Sequence, residues 1–260
     1  MELNIVQVLI LTVWSGAAMI DALSFGLGMN GIIQTGIFTG LLVGNPGLGL
    51  VVGATFQSFA LGIGTYGGAS IPNWTASAMI VTAFAGNLEE AGILVPLVGV
   101  PVSALLIQFD VLARMTNVAF QHRADAYVKV GNMKGIVLMN HLGILPWALS
   151  RALPIFFALL VGREVIGDLA VWMTENALWM ANGFLIAGRA LPAIGFSILL
   201  RYLPTARNVH WLIIGFVLAA FLGLPILAIA LIGTAAAMLT FKARTEGVAT
   251  ASMGGDDYDE

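Results

Sequence analysis

The stretch that decides the fold is Gly53-Ala-Thr-Phe-Gln57-Ser-Phe-Ala-Leu-Gly62, which is followed by Thr65-Tyr-Gly-Gly-Ala-Ser-Ile-Pro-Asn73. It lies inside a longer segment, residues 22–88, that contains no Asp, Glu, Lys or Arg but many amides and hydroxyls. Within hydrocarbon, broken backbone is tolerated only where it is buried in protein or faces a cavity. The Gly-Gly and Ile-Pro pairs are such breaks, so the stretch predicts a neutral polar cavity, suited to a hydroxyl-rich ligand such as a sugar.

The composition is that of an integral membrane protein. Of the 260 residues, 59% are hydrophobic and 10% are charged, whereas a soluble domain carries about a quarter charged residues. No basic run is present, so we expect no nucleic-acid partner. Cysteine is absent, the three histidines are scattered, and no nucleotide-binding motif appears. We therefore expect no cofactor, no metal site and no catalytic residue of its own.

Apolar segments of span-like length recur along the chain, since a membrane span needs about 20 residues. The predicted segments are Ile5–Ile20, Ile32–Val43, Leu48–Ile63, Ile71–Leu88, Ala91–Phe109, Ile136–Val161, Ala177–Leu200 and Trp211–Phe241. Met1-Glu2 lacks a basic n-region, so we expect the first segment to be retained. Gly44-Asn-Pro-Gly47 predicts a tight turn between the second and third segments. Pro72 is expected in the first turn of the fourth. The fold class is an all-α polytopic helical bundle.

Charge in the connections predicts the topology. Four basic residues in Arg114–Lys134 indicate a cytoplasmic connection, and the mainly acidic loop Arg163–Glu175 suits the outer side. Arg201 and Arg207 mark a second cytoplasmic loop. Asp110 lies four residues before the first of these basic residues and is expected to pair with it on a helix.

The last apolar segment, Trp211–Phe241, is too short for two spans and has basic flanks on both sides. It therefore predicts a re-entrant pair of short helices that turns at Gly223–Pro225. Gly40–Gly53 and Gly215–Gly233 are both glycine-interrupted hairpins, which indicates inverted repeats of the kind found in transporters. We expect a membrane transport domain over residues 1–245 and a disordered cytoplasmic tail over residues 246–260.

The quoted motifs resemble subunit IIC of the mannose-type sugar phosphotransferase systems, which serve mannose, fructose, sorbose and N-acetylgalactosamine. The stretches His122-Arg-Ala-Asp125, Gly131-Asn-Met-Lys-Gly135 and Leu145-Pro-Trp-Ala-Leu-Ser-Arg-Ala-Leu-Pro154 are similar to that family's basic loop and following span. Residue 57 is Gln where the mannose branch has Glu, so the resemblance leans to the fructose, sorbose and amino-sugar branches. Asn45 and Asn73 stand where members often have Asp, and residues 30–34 lack a frequent Arg-Pro pair.

This resemblance implies a multi-pass subunit of the bacterial cytoplasmic (inner) membrane, in contact with the lipid bilayer. It implies a membrane partner, IID, together with cytoplasmic IIB and IIA subunits that supply the phosphoryl group to the sugar. It further implies trimers of IIC–IID pairs and an elevator-like motion of a mobile core. The chain has no phosphate-binding loop, so the chemistry is expected on a partner.

The candidate site residues lie mainly in the neutral segment. Gln57 and Asn73 are expected to hydrogen-bond sugar hydroxyls, because each amide offers a donor and an acceptor. Second candidates are Ser70, Thr65 and Gln34. Asp21 is either an intramembrane functional acid or the end of the first helix at the interface. Arg151 and Arg189 either pair with acids or carbonyls in the bundle or meet the phosphoryl donor.

Other interpretations stay open at this point. A secondary sugar transporter that works alone would need a carboxylate deep in its pocket. A non-transporting assembly subunit would tolerate replacement of the polar residues in 22–88. A membrane enzyme is the least favoured reading, because no Ser/His/Asp constellation is visible.

Overall fold

The computed structural model describes residues 3–64, 69–205 and 208–253, and the elements it describes there are all helical. The helices are α1 (Ile5–Leu23), α2 (Ile32–Val43), α3 (Pro46–Phe59), α4 (Trp74–Phe84), α5 (Leu88–Leu94), α6 (Val100–Lys129), α7 (Met133–Leu142), α8 (Ile144–Asn176), α9 (Leu178–Tyr202), α10 (Val209–Ala220) and α11 (Ile226–Met253). They form two compact units, Met1–Tyr202 and Leu203–Glu260. The predicted functional division at residue 245 stays a prediction.

Helices α2 and α3 form a close hairpin whose turn the sequence predicted correctly. Gly44 ends α2 in the left-handed region, with φ 84°, and the Asn45 side chain accepts a hydrogen bond from the Leu48 N–H at 3.0 Å. Pro46 opens α3, where its missing N–H leaves no backbone bond unmade. A Cβ atom on Gly49 would collide with the Gly36 carbonyl oxygen, so glycine is what lets the two backbones approach.

Helix α4 lies at the centre of the first unit, since every residue in it except Thr75 is buried. The expected start at Ile71-Pro72 is wrong, because the helix begins at Trp74 with Asn73 as its N-cap. The Asn73 side-chain oxygen accepts a hydrogen bond from the Ala76 N–H at 2.8 Å. This cap sets the helix start at Trp74, three residues after the predicted start at Ile71.

A continuous helical stretch of 42 residues runs from Leu88 to Lys129. It contains α5, a π-helical segment Val95–Gly99 that includes Pro96, and α6. The predicted basic connection Arg114–Lys134 is therefore mostly helix, and the turn is confined to residues 130–132. The prediction of a loop at Arg163–Glu175 is also wrong, because α8 continues to Asn176 beyond a break at Gly162, where φ is 86° and ψ is 171°. The outer location of this stretch stays a prediction.

Four helical stretches among the described residues are long and apolar enough to cross a membrane. They are Ile5–Leu23, Leu88–Lys129, Met133–Leu160 and Leu178–Tyr202. The shorter apolar helices are Ile32–Val43, Trp74–Phe84, Val209–Ala220 and Leu227–Lys242. This combination of long and short apolar helices matches the predicted polytopic bundle with half-length elements.

In the second unit, the chain breaks where the sequence placed the turn. Helix α10 ends at Ala220, α11 starts at Ile226, and Gly223 between them has φ 62°. The predicted return of both ends to one side of the membrane stays a prediction, as do the inverted repeats. Helix α11 continues to Met253, so the tail predicted from residue 246 is helical as far as that residue, and residues 254–260 lie outside the described part.

Candidate functional site

The candidate site is organised around an aromatic contact between α3 and α4. The Trp74 ring lies 6.0 Å from the Phe56 ring and 5.5 Å from the Phe59 ring, centroid to centroid. All three side chains are buried. Gln57 follows one of these residues in the chain and Asn73 precedes another. The two amides that the sequence singled out are therefore the immediate chain neighbours of two members of this cluster.

Three residues in or next to this cluster along the chain carry polar groups without a partner among the described residues. The half-buried Gln57 amide makes no hydrogen bond within the described part of the chain. The Asn73 oxygen caps α4 and its backbone N–H donates to the Ser103 carbonyl at 3.1 Å, whereas its Nδ2 has no partner there. The Trp74 Nε1 is a buried donor that likewise lacks an acceptor among these residues. Chemically, the three side chains offer N–H donors and one free carbonyl acceptor, which suits a ligand rich in hydroxyls.

Ser70 faces a different environment from the one expected of a ligand contact. Its hydroxyl donates to Asp110 Oδ2 on α6. The same carboxylate oxygen accepts from Arg114 Nε at 3.0 Å, and Asp110 Oδ1 accepts from Arg151 Nη2 at 3.1 Å. Arg151 also donates from Nη1 to the Leu106 carbonyl at 3.1 Å. The loop before α4 is thus tied to a charged cluster, defined here as Asp110, Arg114 and Arg151.

This cluster settles two expectations about charge in the bundle. The predicted pairing of Asp110 with Arg114 is confirmed by the structure. Arg151 pairs with both an acid and a carbonyl, which was one of its two expected roles, and its side chain is only 8% exposed. Arg189 lies exposed on α9, with no ion pair to a described residue.

Asp21 is buried at the end of α1, where it holds the following loop. Its Oδ1 accepts from the Leu27 N–H at 2.7 Å, and its Oδ2 accepts from the N–H groups of Gly28 and Met29 at 3.0 and 2.8 Å. Three backbone donors on one carboxylate favour a structural role over direct ligand contact. Gln34 is exposed on α2. Thr65 lies outside the described residues.

Helix α9 closes over the end of α3. A Cβ atom on Gly195 would lie 2.6 Å from the Ser58 carbonyl oxygen, so glycine is required for the contact. Gly62, in the left-handed region with φ 71°, meets the backbone of Leu199 in the same way. Helix α3 therefore packs against α4 through its aromatic residues and against α9 at its end. Sequence reasoning missed Trp74, although it directly follows the quoted motif, and it missed the link from Ser70 to Asp110.

The fold and the candidate site together define an all-α, multi-pass membrane protein with a neutral polar candidate site. Among the described residues, no group of acids or histidines could hold a metal ion. The chain belongs to the family of sorbose-specific IIC components of the phosphotransferase system (PTS), whose family model matches residues 5–239. It is accordingly a sugar-specific permease component of that system, located in the bacterial inner membrane.

Curated relatives agree on this family. The chain is 26% identical over 237 residues to the PTS sorbose-specific EIIC component of Lacticaseibacillus casei, covering 90% of this chain and 83% of the relative. It is 27% identical to the mannose-specific EIIC component of Escherichia coli K12, covering 85% and 84%. It is also 27% identical to the fructose permease IIC component of Bacillus subtilis, covering 77% and 73%. The relatives thus differ in sugar while sharing the component.

Solved structures agree on the fold. One, described as the structure of a membrane protein, has a TM-score of 0.73 at 21% identity, covering 93% of this chain and 97% of that one. A cryo-EM structure of the mannose transporter ManYZ in complex with microcin E492 has a TM-score of 0.57 at 23% identity, with the same coverage. At these identities the likeness concerns the arrangement of helices alone.

Proposed function

We propose that this IIC chain binds its sugar beside the aromatic contact of α3 and α4 and carries it inward with a IID membrane subunit. A cytoplasmic IIB subunit, supplied by IIA, then transfers phosphate to the sugar. The assembly is a trimer of IIC–IID pairs, as the family resemblance implies. The ManYZ structure supports a membrane partnership of this kind through the likeness in fold.

The observation that carries the proposal is the set of polar groups without partners at Gln57, Asn73 and Trp74. A buried donor left without an acceptor costs about 1–3 kcal/mol, and Trp74 Nε1 is such a donor, so a ligand that accepts from it and from the half-buried amides of Gln57 and Asn73 would be stabilised there. A sugar hydroxyl accepts from an N–H and donates to a carbonyl, and it therefore satisfies both kinds of group. The described residues that form this aromatic contact carry no charge, which favours a neutral sugar.

The remaining predicted residues take indirect or secondary roles in the proposal. Ser70 holds the loop that leads to Asn73, because its hydroxyl is already donated to Asp110. Asp21 shapes the loop after α1 through its three backbone partners. Gln34 and Thr65 stay secondary candidates for sugar contact. The Gln at position 57 is what directs the choice toward sorbose, fructose or amino sugars.

The test replaces the Gln57 amide and measures sugar binding to the purified complex with its IID partner. Gln57→Leu keeps the bulk and removes one donor and one acceptor, each worth about 0.5–1.5 kcal/mol net. We expect affinity to fall by roughly tenfold to a hundredfold. Gln108→Leu is the matched control, because Gln108 lies exposed on α6 and has no hydrogen-bond partner among the described residues.

Gln57→Glu adds a second readout, since it restores the residue of the mannose branch. We expect it to change the order of preference among mannose, fructose, sorbose and N-acetylgalactosamine without preventing assembly with IID. If Gln57→Leu binds every sugar as tightly as the Gln108→Leu control, Gln57 packs the bundle and the proposed site is wrong. If transport also continues unchanged, the assembly-subunit alternative gains support.

A further inference from the structure

We infer that the cleft between α1, α6, α7 and α8 binds the headgroup of an anionic phospholipid. The cleft has a volume of about 930 Å³. It lies where α1 ends and α8 begins, beside the middle of α6. Its lining residues are Ile20, Leu23, Ser24, Arg114, Asn117, Val118, Phe120, Gln121, Ala124, Ile136, Val137, Met139, Asn140, Gly143, Ile144 and Trp147. None of these residues belongs to the candidate sugar site.

The cleft carries more positive than negative charge. Arg114 is the one charged residue in this lining, which contains no acid. The guanidinium donates from Nε to Asp110, but that carboxylate also serves the buried Arg151, so two positive charges share one negative charge. Arg151 is 8% exposed and Arg114 is 37% exposed. The unbalanced positive charge is therefore presented at Arg114, where a phosphodiester anion would neutralise it.

Neutral donors surround this charge on the same wall. Asn117 and Gln121 lie three and seven residues after Arg114, which places all three on one face of α6. Gln121 and Asn140 have no hydrogen-bond partner among the described residues, so their amides are available to phosphate and glycerol oxygens. Trp147 packs against the guanidinium, with its ring centre 5.1 Å from the Arg114 Cζ atom. Tryptophan with a basic residue is the pairing typical of the membrane–water interface.

The rest of the wall is apolar, with side chains from α1, α7 and α8 that suit the upper part of acyl chains. Helix α6 continues from the cleft to Arg123 and Lys129, and Lys134 follows on α7. By the positive-inside rule this end of the bundle faces the cytoplasm. Basic pockets between membrane helices on that side bind anionic headgroups. A free phosphate would leave most of this apolar wall uncovered, so the occupant we propose is the lipid.

The experiment uses the purified full chain with its IID partner and measures lipid binding by native mass spectrometry. Phosphatidylglycerol is titrated against zwitterionic phosphatidylcholine, with inorganic phosphate as a separate arm. We expect the anionic lipid to bind at least roughly tenfold more tightly than the zwitterionic one. Equal binding of the two lipids would overturn the inference. Competition of inorganic phosphate at millimolar concentration would show an anion site without lipid specificity and would also overturn it.

Two variants distinguish lipid binding in the cleft from attraction to the general surface charge of the protein. Gln121→Glu puts a negative charge into the cleft and leaves the Arg114–Asp110 pair intact, so affinity for phosphatidylglycerol should fall at least roughly tenfold. Arg123→Gln is the matched control, because it changes the net charge by the same amount on an exposed position of the same helix outside the cleft. It should stay within about twofold of wild type at 0.15 M salt. Equal losses of phosphatidylglycerol affinity in the two variants would show that general surface charge, and not the cleft, binds the lipid. Cross-linking of a Val118→Cys variant to IID in every complex would show that the partner subunit, and not lipid, occupies the cleft.

Discussion

Replacing Asp110 by Asn tests the charged cluster most directly. The carboxylate is buried and accepts from Ser70, Arg114 and Arg151. An asparagine keeps the size and one acceptor, but it removes the only negative charge of the cluster. The Arg151 guanidinium, itself buried, then lies in the bundle without a counter-ion.

The expected cost follows from that uncompensated charge. Breaking a buried ion pair by removing one partner destabilises a protein by about 3–5 kcal/mol, because the other charge stays buried. At about 2–4 °C for each kcal/mol in a domain of this size, the midpoint of thermal unfolding should fall by roughly 6–20 °C. The double variant Asp110→Asn/Arg151→Gln removes the buried positive charge as well, so it should regain part of this loss.

The assay is thermal unfolding of the purified chain in one detergent, with Asp125→Asn as the control on an exposed position of the same helix. Ser70→Ala is the companion variant, since it removes one hydrogen bond and no charge. It should lower the free energy of unfolding by only about 0.5–1.5 kcal/mol. A change in the Asp110→Asn midpoint no larger than that of Asp125→Asn would refute the assignment of the cluster as a stabilising element.

Three further results are expected from the structure. Asp21→Asn should destabilise the chain by about 1–3 kcal/mol in thermal unfolding, because an amide cannot accept from all three backbone N–H groups, and an unchanged midpoint would contradict that role. Gly49→Ala should lower the free energy of unfolding by about 1–3 kcal/mol in the same assay, because the new methyl group pushes α2 and α3 apart. Gly92→Ala, which has open space around it, should leave the free energy of unfolding unchanged or raise it by up to about 1 kcal/mol, and equal effects of the two variants would contradict the close approach of α2 and α3. A cysteine at the exposed Val130 should react with impermeant reagents from the cytoplasmic side alone, and labelling of intact cells would reverse the topology.

Local chemistry made the α2–α3 hairpin predictable and left the ends of the long helices unpredictable. Glycine, asparagine and proline at residues 44–47 each favour a turn, and they act together. The basic residues after Arg114 were read as a connection, yet no glycine or proline occurs between residues 102 and 130. Charged side chains on an exposed helix face do not break it. Helix α8 also passes through the acidic stretch 163–175, although Gly167 lies within it and the backbone is non-helical at Gly162 just before it.

The candidate site also has parts that local sequence predicts and parts that depend on contacts between distant residues. The amides of Gln57 and Asn73 were identified from their local context, and each is next in sequence to a residue of the aromatic cluster, but their contact with a sugar stays a prediction. The partners of Asp110 could not be found from spacing, because Ser70 and Arg151 are 40 and 41 residues away in sequence. The capping role of Asp21 is local and depends on Gly26 and Gly28, whose φ values of 68° and 92° let the backbone turn its N–H groups inward.

Helix α6 connects the two sites proposed here. Near the beginning of α6, the Ser103 carbonyl accepts a hydrogen bond from the Asn73 backbone N–H. Further along the helix, the Asp110 carboxylate accepts one from the Ser70 hydroxyl, so α6 holds the loop before α4 at two points. A turn beyond Asp110, Arg114 faces the cleft. Because one carboxylate serves both the loop and Arg114, Asp110→Asn should weaken sugar binding, whereas the positive charge that it leaves unpaired at Arg114 should strengthen phosphatidylglycerol binding. Ser70→Ala removes only the bond to the loop, so it should weaken sugar binding while phosphatidylglycerol binding stays as in wild type. Loss of both in that variant would mean that the cluster, not the loop bond, sets the sugar site.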